Sequence, residues 1–150
     1  MDARSRADGP AAVSDRRTDT GPETNEIRAV IVDWAAAVMR CDLDGVVAAH
    51  GDDIVMFDVP PPHDGIRTLG DYTDAWPPFF EWIRAGARFE IDELHVEAGT
   101  DVAFAWALVR CGTDDDLAAH PERRLRLTLG LRRGAGSWEI LHEHHSFAQT

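Results

Sequence analysis

Three histidines crowd the end of the chain, in the run Trp138-Glu139-Ile140-Leu141-His142-Glu143-His144-His145-Ser146. Read as a strand, residues two apart share a face. Trp138, Ile140, His142, His144 and Ser146 then point one way, and Glu139, Leu141, Glu143 and His145 the other. The first set begins apolar and turns polar, as in a strand that leaves a core and enters a pocket. Imidazole titrates near neutrality and can both give and take a proton, which makes His142 and His144 the candidate acid-base pair. The structural alternative is two satisfied polar residues on a half-buried strand. An HxH pair also chelates a metal when a third ligand converges. Asp58, His63 and His95 lack diagnostic spacing for that, and no metal is assigned.

Other side chains could join such a site. Asp58 ends a short apolar run just before Pro60-Pro61-Pro62, so its carboxylate belongs near a pocket mouth or caps loop amides. Arg126 and Thr128 share one strand face, opposite Leu125, Leu127, Leu129 and Leu131. Pattern alone turns the leucines inward and leaves Arg126 in solvent. Trp34, Trp76, Trp82, Trp106, Phe79 and Phe104 could line an apolar cavity or simply fill a core. No Gly-rich phosphate loop, GxSxG or Cys-His signature is present, which argues against nucleotide-dependent and acyl-enzyme chemistry.

The elements that must position these groups follow from periodicity. Residues 1–23 carry scarcely an apolar anchor and are expected to be a disordered tail, followed by one domain over 24–148. Thr24 is a fair N-cap for a helix whose face carries Ile27, Val30, Ile31, Trp34, Val38 and Cys41. A short helix over Leu43–His50 precedes a strand from Ile54 to Val59. Thr68 opens a third helix with Tyr72, Trp76, Phe79, Phe80 and Ile83 on its apolar face, and Pro77-Pro78 are expected to kink or break it. Four strands then run over 88–97, 102–111, 123–133 and 137–146. Asp114-Asp115-Asp116 reads as a solvated hairpin loop. Short connections make this meander antiparallel, and the class is α+β.

With 150 residues the chain has room for one domain. Its net charge of -12 argues against nucleic acid and anionic lipid as partners. All 15 basic residues are arginine, which we read as composition bias. The two cysteines, Cys41 and Cys111, are too few for a disulfide scaffold and fit buried thiols in a cytoplasmic protein. No run reaches the roughly 20 apolar residues of a membrane span, and no secretory h-region is seen.

The order of elements resembles NTF2-like proteins, especially the SnoaL-like group that includes ketosteroid-isomerase homologues. The closing strand is also similar to that of the calmodulin-dependent kinase association domain. Phe57-Asp58-Val59-Pro60 followed by Gly65, and Arg126-Leu127-Thr128 before Arg132-Arg133, agree with it. The resemblance spans about Glu26 to Ser146. It implies a cone in which a curved, mostly antiparallel sheet wraps three N-terminal helices around one central pocket, and a homodimer formed through the outer face of the sheet. It also implies a carboxylate general base, for which Asp58 is the candidate, and turns Arg126 inward to bind a carboxylate or enolate. Trp34, Tyr72, Trp76, Phe79, Trp106 and Thr128 would contact the ligand. The one tyrosine, Tyr72, sits on the third helix instead of the first, so the steroid-isomerase pattern fails at that position. The expected function is a cofactor-independent isomerase, lyase or hydrolase acting on a small apolar carbonyl compound. The alternative is a non-catalytic ligand-binding or association domain.

Overall fold

Helix α1, Pro22–Met39, starts where Pro22 takes the first helical position after Gly21; its fixed φ and missing N–H suit that turn. Thr24, the expected cap, therefore lies inside the helix. The computed structural model describes residues 21–149, and the expectation of a disordered tail falls almost wholly outside them. Ile27, Ile31, Trp34 and Val38 are buried along one face of α1, as the spacing predicts. Asp42 caps α2, Leu43–Ala48, by accepting from the Gly45 N–H at 3.1 Å.

Strand β1, His50–Phe57, begins four residues earlier than its apolar run suggests. His50 pairs with Ile140 and Val55 with His142, so the chain leaves the ladder over 51–54 before rejoining it. Arg132 holds this excursion on the outside, with Nη1 donating to Asp53 Oδ2 at 2.8 Å and Nε to Glu139 Oε1 at 3.0 Å.

Helix α3, Leu69–Arg84, is capped by Thr68, whose Oγ1 accepts from the Asp71 N–H at 3.0 Å. It runs through Pro77 and Pro78 without a break, contrary to expectation. The two prolines remove donors that the Thr73 and Asp74 carbonyls would otherwise meet. Both halves are nevertheless held on the same side of the sheet, because Trp76 packs edge-on against Trp34, and Phe79 against Phe89.

Strands β2 (Arg88–Ala98), β3 (Val102–Gly112), β4 (Leu125–Arg133) and β5 (Trp138–Ser146) complete a curved sheet in the order β1-β5-β4-β3-β2. All neighbours are antiparallel except β1 and β5, which are parallel. The inner face carries Leu125, Leu127, Leu129 and Leu131 of β4 with Ala105, Ala107 and Val109 of β3, covered by the helices. Each such leucine contributes roughly 1.5–3 kcal/mol by leaving water. The segment 114–119, expected as loop, is a helix, α4 (Asp114–Ala119), started by a capping box between Thr113 and Asp116. The acidic run that reads as solvated loop is also a favourable first turn.

Between β1 and α3 the chain doubles back so that Ile66 forms an antiparallel bridge with Met56, with both N–H···O contacts at 2.9 Å. The turn needs Gly65 at φ 85°, and a Cβ there would sit 2.8 Å from the Met56 carbonyl oxygen. Replacing Gly65 with alanine is expected to cost about 1–3 kcal/mol, read as a lower urea midpoint at unchanged slope. An unchanged midpoint would show that the turn relaxes freely.

Candidate acid-base site

The alternation of β5 breaks once. Leu131 pairs with Ile140 and Gly130 with His142, leaving Leu141 as an extra residue with no partner position on β4. Such a bulge shifts the phase of every later side chain. Trp138 and Ile140 face inward, as the spacing predicts, but beyond the bulge Glu143 and His145 point in and His142 and His144 point out. The pair chosen from spacing is therefore corrected. His142 donates from Nδ1 to the Val55 carbonyl at 2.7 Å, and both His142 and His144 meet the ring of Phe57 on the outer face.

Glu143 is fully buried and is satisfied from three sides. Tyr72 donates to its Oε2 at 2.6 Å, His145 Nε2 donates to Oε1 at 2.7 Å, and His50 Nε2 makes a very short contact with Oε2. His50 Nδ1 donates to the Val46 carbonyl at 2.8 Å. Burial alone would raise the Glu143 carboxyl, but the charge of His50 and the hydrogen bonds of both imidazoles hold it well below the usual carboxylate range. Burial, followed by the charge and hydrogen bond of Glu143, pushes the Tyr72 hydroxyl well above 10 and keeps it a donor. The indole N–H groups of Trp34 and Trp76 pull the other way.

His145 joins this core to a cavity. Its Nδ1 lies 3.7 Å from Asp58 Oδ1, where the chain leaves β1. Burial would lower the imidazole, yet the hydrogen bond and charge of Glu143, with the charge of Asp58, outweigh it and hold His145 above 6.5. Asp58 Oδ1 also accepts from the Val59 N–H at 2.7 Å, so the pocket and loop-capping readings of this carboxylate both apply. The cavity measures about 390 Å³ and is walled by Trp76, Phe79, Trp82, Phe89 and Phe147, with Asp58, His145 and Cys111 as its side-chain polar groups. That size and mixture suit a small ligand. Burial, then the charge of Asp58, pushes the Cys111 thiol up to about 12, which keeps it protonated.

Of the residues expected at the site, Asp58, Trp76 and Phe79 line the cavity. Tyr72 and Trp34 lie one layer deeper, beside His50. Trp106 stacks on His95 across the outer face. Thr128 and Arg126 are exposed, while the alternating leucines of β4 are buried. The inward placement of Arg126 is thus overturned, and the pattern of leucines was the better guide. Arg126 nonetheless bears on the cavity: it donates to Ser146 Oγ and to the Phe147 carbonyl, each at 3.1 Å. Arg123 lies over the Phe147 ring at 4.1 Å, so two arginines fix the residue that closes one wall. Sequence reasoning missed His50, Glu143 and His145. The polar pair Glu143/His145 was visible as the other face of β5, but nothing local announced the extra residue that turns it inward.

The charges of this network set a pH window. Glu143 is depressed in the fold, so its stabilisation is present above its unfolded value near 4.3 and is lost as pH falls. His145 is raised, so its stabilisation is complete below about 6.5 and is lost as pH rises through its folded value. Unfolding free energy from urea titrations should contain a component that peaks between about pH 4.5 and 6.5. That component should vanish in Glu143→Gln, and a profile of the same shape in both proteins would refute it. Truncation to Glu143→Ala strands His50 and Tyr72 and is expected to cost about 3–5 kcal/mol.

Residues 27–150 match the model of the SnoaL-like domain. The structure of an NTF2-like protein of unknown function from Pseudomonas putida KT2440 is 36% identical, with a TM-score of 0.72 over 82% of this chain and 84% of that one. A ketosteroid isomerase-like protein from Erwinia carotovora atroseptica is 20% identical, with a TM-score of 0.62 over 87% and 99% of the two chains. An uncharacterized protein with a cystatin-like fold from Caulobacter vibrioides is 17% identical, with a TM-score of 0.70 over 86% and 92%. At the lower identities the likeness is one of fold. Comparison with curated proteins gave no match. The α+β sheet wrapped on its helices, the 36% identical structure and the domain match agree: this chain belongs to the SnoaL-like family of NTF2-like proteins.

Proposed function

We propose that the protein binds a small, largely apolar carbonyl compound and moves a proton on it without a cofactor, as an isomerase or lyase does. The observation that carries this reading is an acid and a base on the wall of an aromatic cavity, His145 Nδ1 and Asp58 Oδ1, 3.7 Å apart. His145, held protonated by its two carboxylate neighbours, is the acid and gives its Nδ1 proton to the carbonyl oxygen. Asp58 is the base and takes a proton from the adjacent carbon, leaving an enol. Asp58 then returns that proton to the far carbon of a conjugated enol, or to a β leaving group as its bond to carbon breaks, while the enol hydroxyl gives its proton back to His145 and the carbonyl re-forms. Glu143 keeps Nε2 of His145 as a donor and so aims Nδ1 at the cavity. Trp76, Phe79, Trp82 and Phe89 supply apolar surface for the rest of the ligand.

Ligand screening by thermal shift, with uncharged enones, ketones and lactones, tests the binding. Turnover of any hit is then expected to fall at least 100-fold in Asp58→Asn and in His145→Gln, in the range of general acid-base contributions, with binding retained. Variants that turn over a hit at the wild-type rate would overturn the assignment. Absence of any hit would favour the association reading.

That second reading has its own support on the outer face of the sheet, where Phe104 is 51% and Val102 66% exposed on β3, and Phe57 38% on β1, with β5 and β4 between them. Exposed apolar side chains on one face favour a homodimer formed through it. Sedimentation equilibrium of Phe104→Glu is expected to give a monomer where the parent gives a dimer. Equal masses for both would remove this face from the interface. The two free cysteines favour a cytoplasmic location, and no described helix is long and apolar enough to cross a membrane.

A further inference from the structure

The polar network continues past the cavity into a part of the core that no ligand reaches. His50 and Glu143 have side chains with no exposed surface at all. Both ring nitrogens of His50 face acceptors: the Val46 carbonyl at 2.8 Å and the Glu143 carboxylate. A neutral imidazole would leave one nitrogen with a lone pair against an oxygen. The His50–Glu143 contact therefore contains one more proton than a neutral imidazole and a carboxylate have between them. The groups facing it are few. On Glu143 they are Tyr72 from α3 and His145 from β5. On His50 they are the α2 carbonyl of Val46, the rings of Trp34 at 6.1 Å and Tyr72 at 4.3 Å, and Glu143 itself. Asp58 stands on the far side of His145.

We propose that His50 is the standing counter-charge of Glu143, and so a positioning residue that leaves the proton of His145 available to the cavity. One buried carboxylate serves two imidazoles with different duties. His50, sealed, balances its charge permanently. His145, at the cavity wall, is held in one orientation by the same carboxylate and turns its other N–H toward Asp58, 3.7 Å away, and a bound molecule. Without His50, the carboxylate would be neutralised by His145 alone, and His145 would release its proton only at higher pH. The functional meaning of this division rests on the acid-base reading given above, but the division itself is measurable on the free protein.

Imidazole nitrogen–proton correlation spectra of the ¹⁵N-labelled full chain provide the test. In the parent protein at pH 7, His50 should show hydrogen on both ring nitrogens, with slow exchange against water. In His50→Gln the titration midpoint of His145 should move upward by about one unit or more, and any acid limb in a pH–rate profile should move with it. A single ring N–H at His50 in the parent protein would overturn the proposal even if the variant does not fold. So would a His145 midpoint in His50→Gln that stays put or falls. Loss of turnover in Asp58→Asn together with an unmoved His145 midpoint in His50→Gln would keep the proposed function and reject the role of His50. The converse pattern would keep the network and reject the reaction.

Discussion

The constraint on which this structure depends is that one carboxylate, Glu143, lies where water cannot reach it. An ion moved from water to a protein interior loses several kcal/mol of hydration even after the surroundings relax. The fold meets that demand by converging on a single point. Strand β1 brings His50, helix α3 brings Tyr72, and β5 itself brings His145. Two come from neighbouring strands of the sheet and one from the helical layer, so the helices and sheet must dock correctly before the charge is balanced. The network thus ties three elements to one register. Its last member also has an edge on the cavity, and there the interior electrostatics becomes chemistry.

Two irregularities of the sheet flank the convergence, and the one on β5 makes it possible. In β1, five residues span what two cover on β5, from His50 opposite Ile140 to Val55 opposite His142, and Arg132 of β4 anchors this excursion from outside through Asp53. The extra residue of β5 lets an apolar inner face, Trp138 and Ile140, be followed by a polar inner face, Glu143 and His145. A perfectly alternating β5 would keep Glu143 and His145 on the face opposite Trp138 and Ile140. Irregular strands are costlier to pair than regular ones, and here they coincide with the site.

Much of the fold was legible in the sequence because burial follows period. The face of α1, the inward leucines of β4 and the aromatic stripe of α3 were all read from spacing, as was the α+β order of elements. What failed has identifiable physical reasons. Pro77 and Pro78 break local hydrogen bonds, but aromatic packing on both sides of them outweighs that loss, and propensity cannot foresee packing. The start of β1 was missed because Gly51, Asp52 and Asp53 carry no strand signal. They lie outside the regular ladder. At the site, Asp58, Trp76 and Phe79 were found because chain position and apolar neighbours mark them. For Arg126 the resemblance points inward and the alternation of β4 outward, and the strand follows its alternation because four leucines gain more from burial than one arginine. Spacing counted from Trp138 and Ile140 selects His142 and His144 over Glu143 and His145, and it fails because two-residue spacing holds only while a strand is unbroken. Either phase of that strand yields a polar pair, and only the register with β4 decides between them.

Leu141 has a consequence for how this chain is matched to its relatives. The residue before it, Ile140, is inside, and the residue after it, His142, is outside, as they would be if Leu141 were absent and the two were adjacent. The residue is supernumerary: removing it leaves every other side chain of β5 on its present face. A relative with an unbroken last strand therefore lines up correctly only when a one-residue gap is opened at this point. Without the gap, the outward-facing histidines of this chain fall in the columns of the other protein's interior groups. Roles transferred down those columns would then land on the wrong side of the sheet.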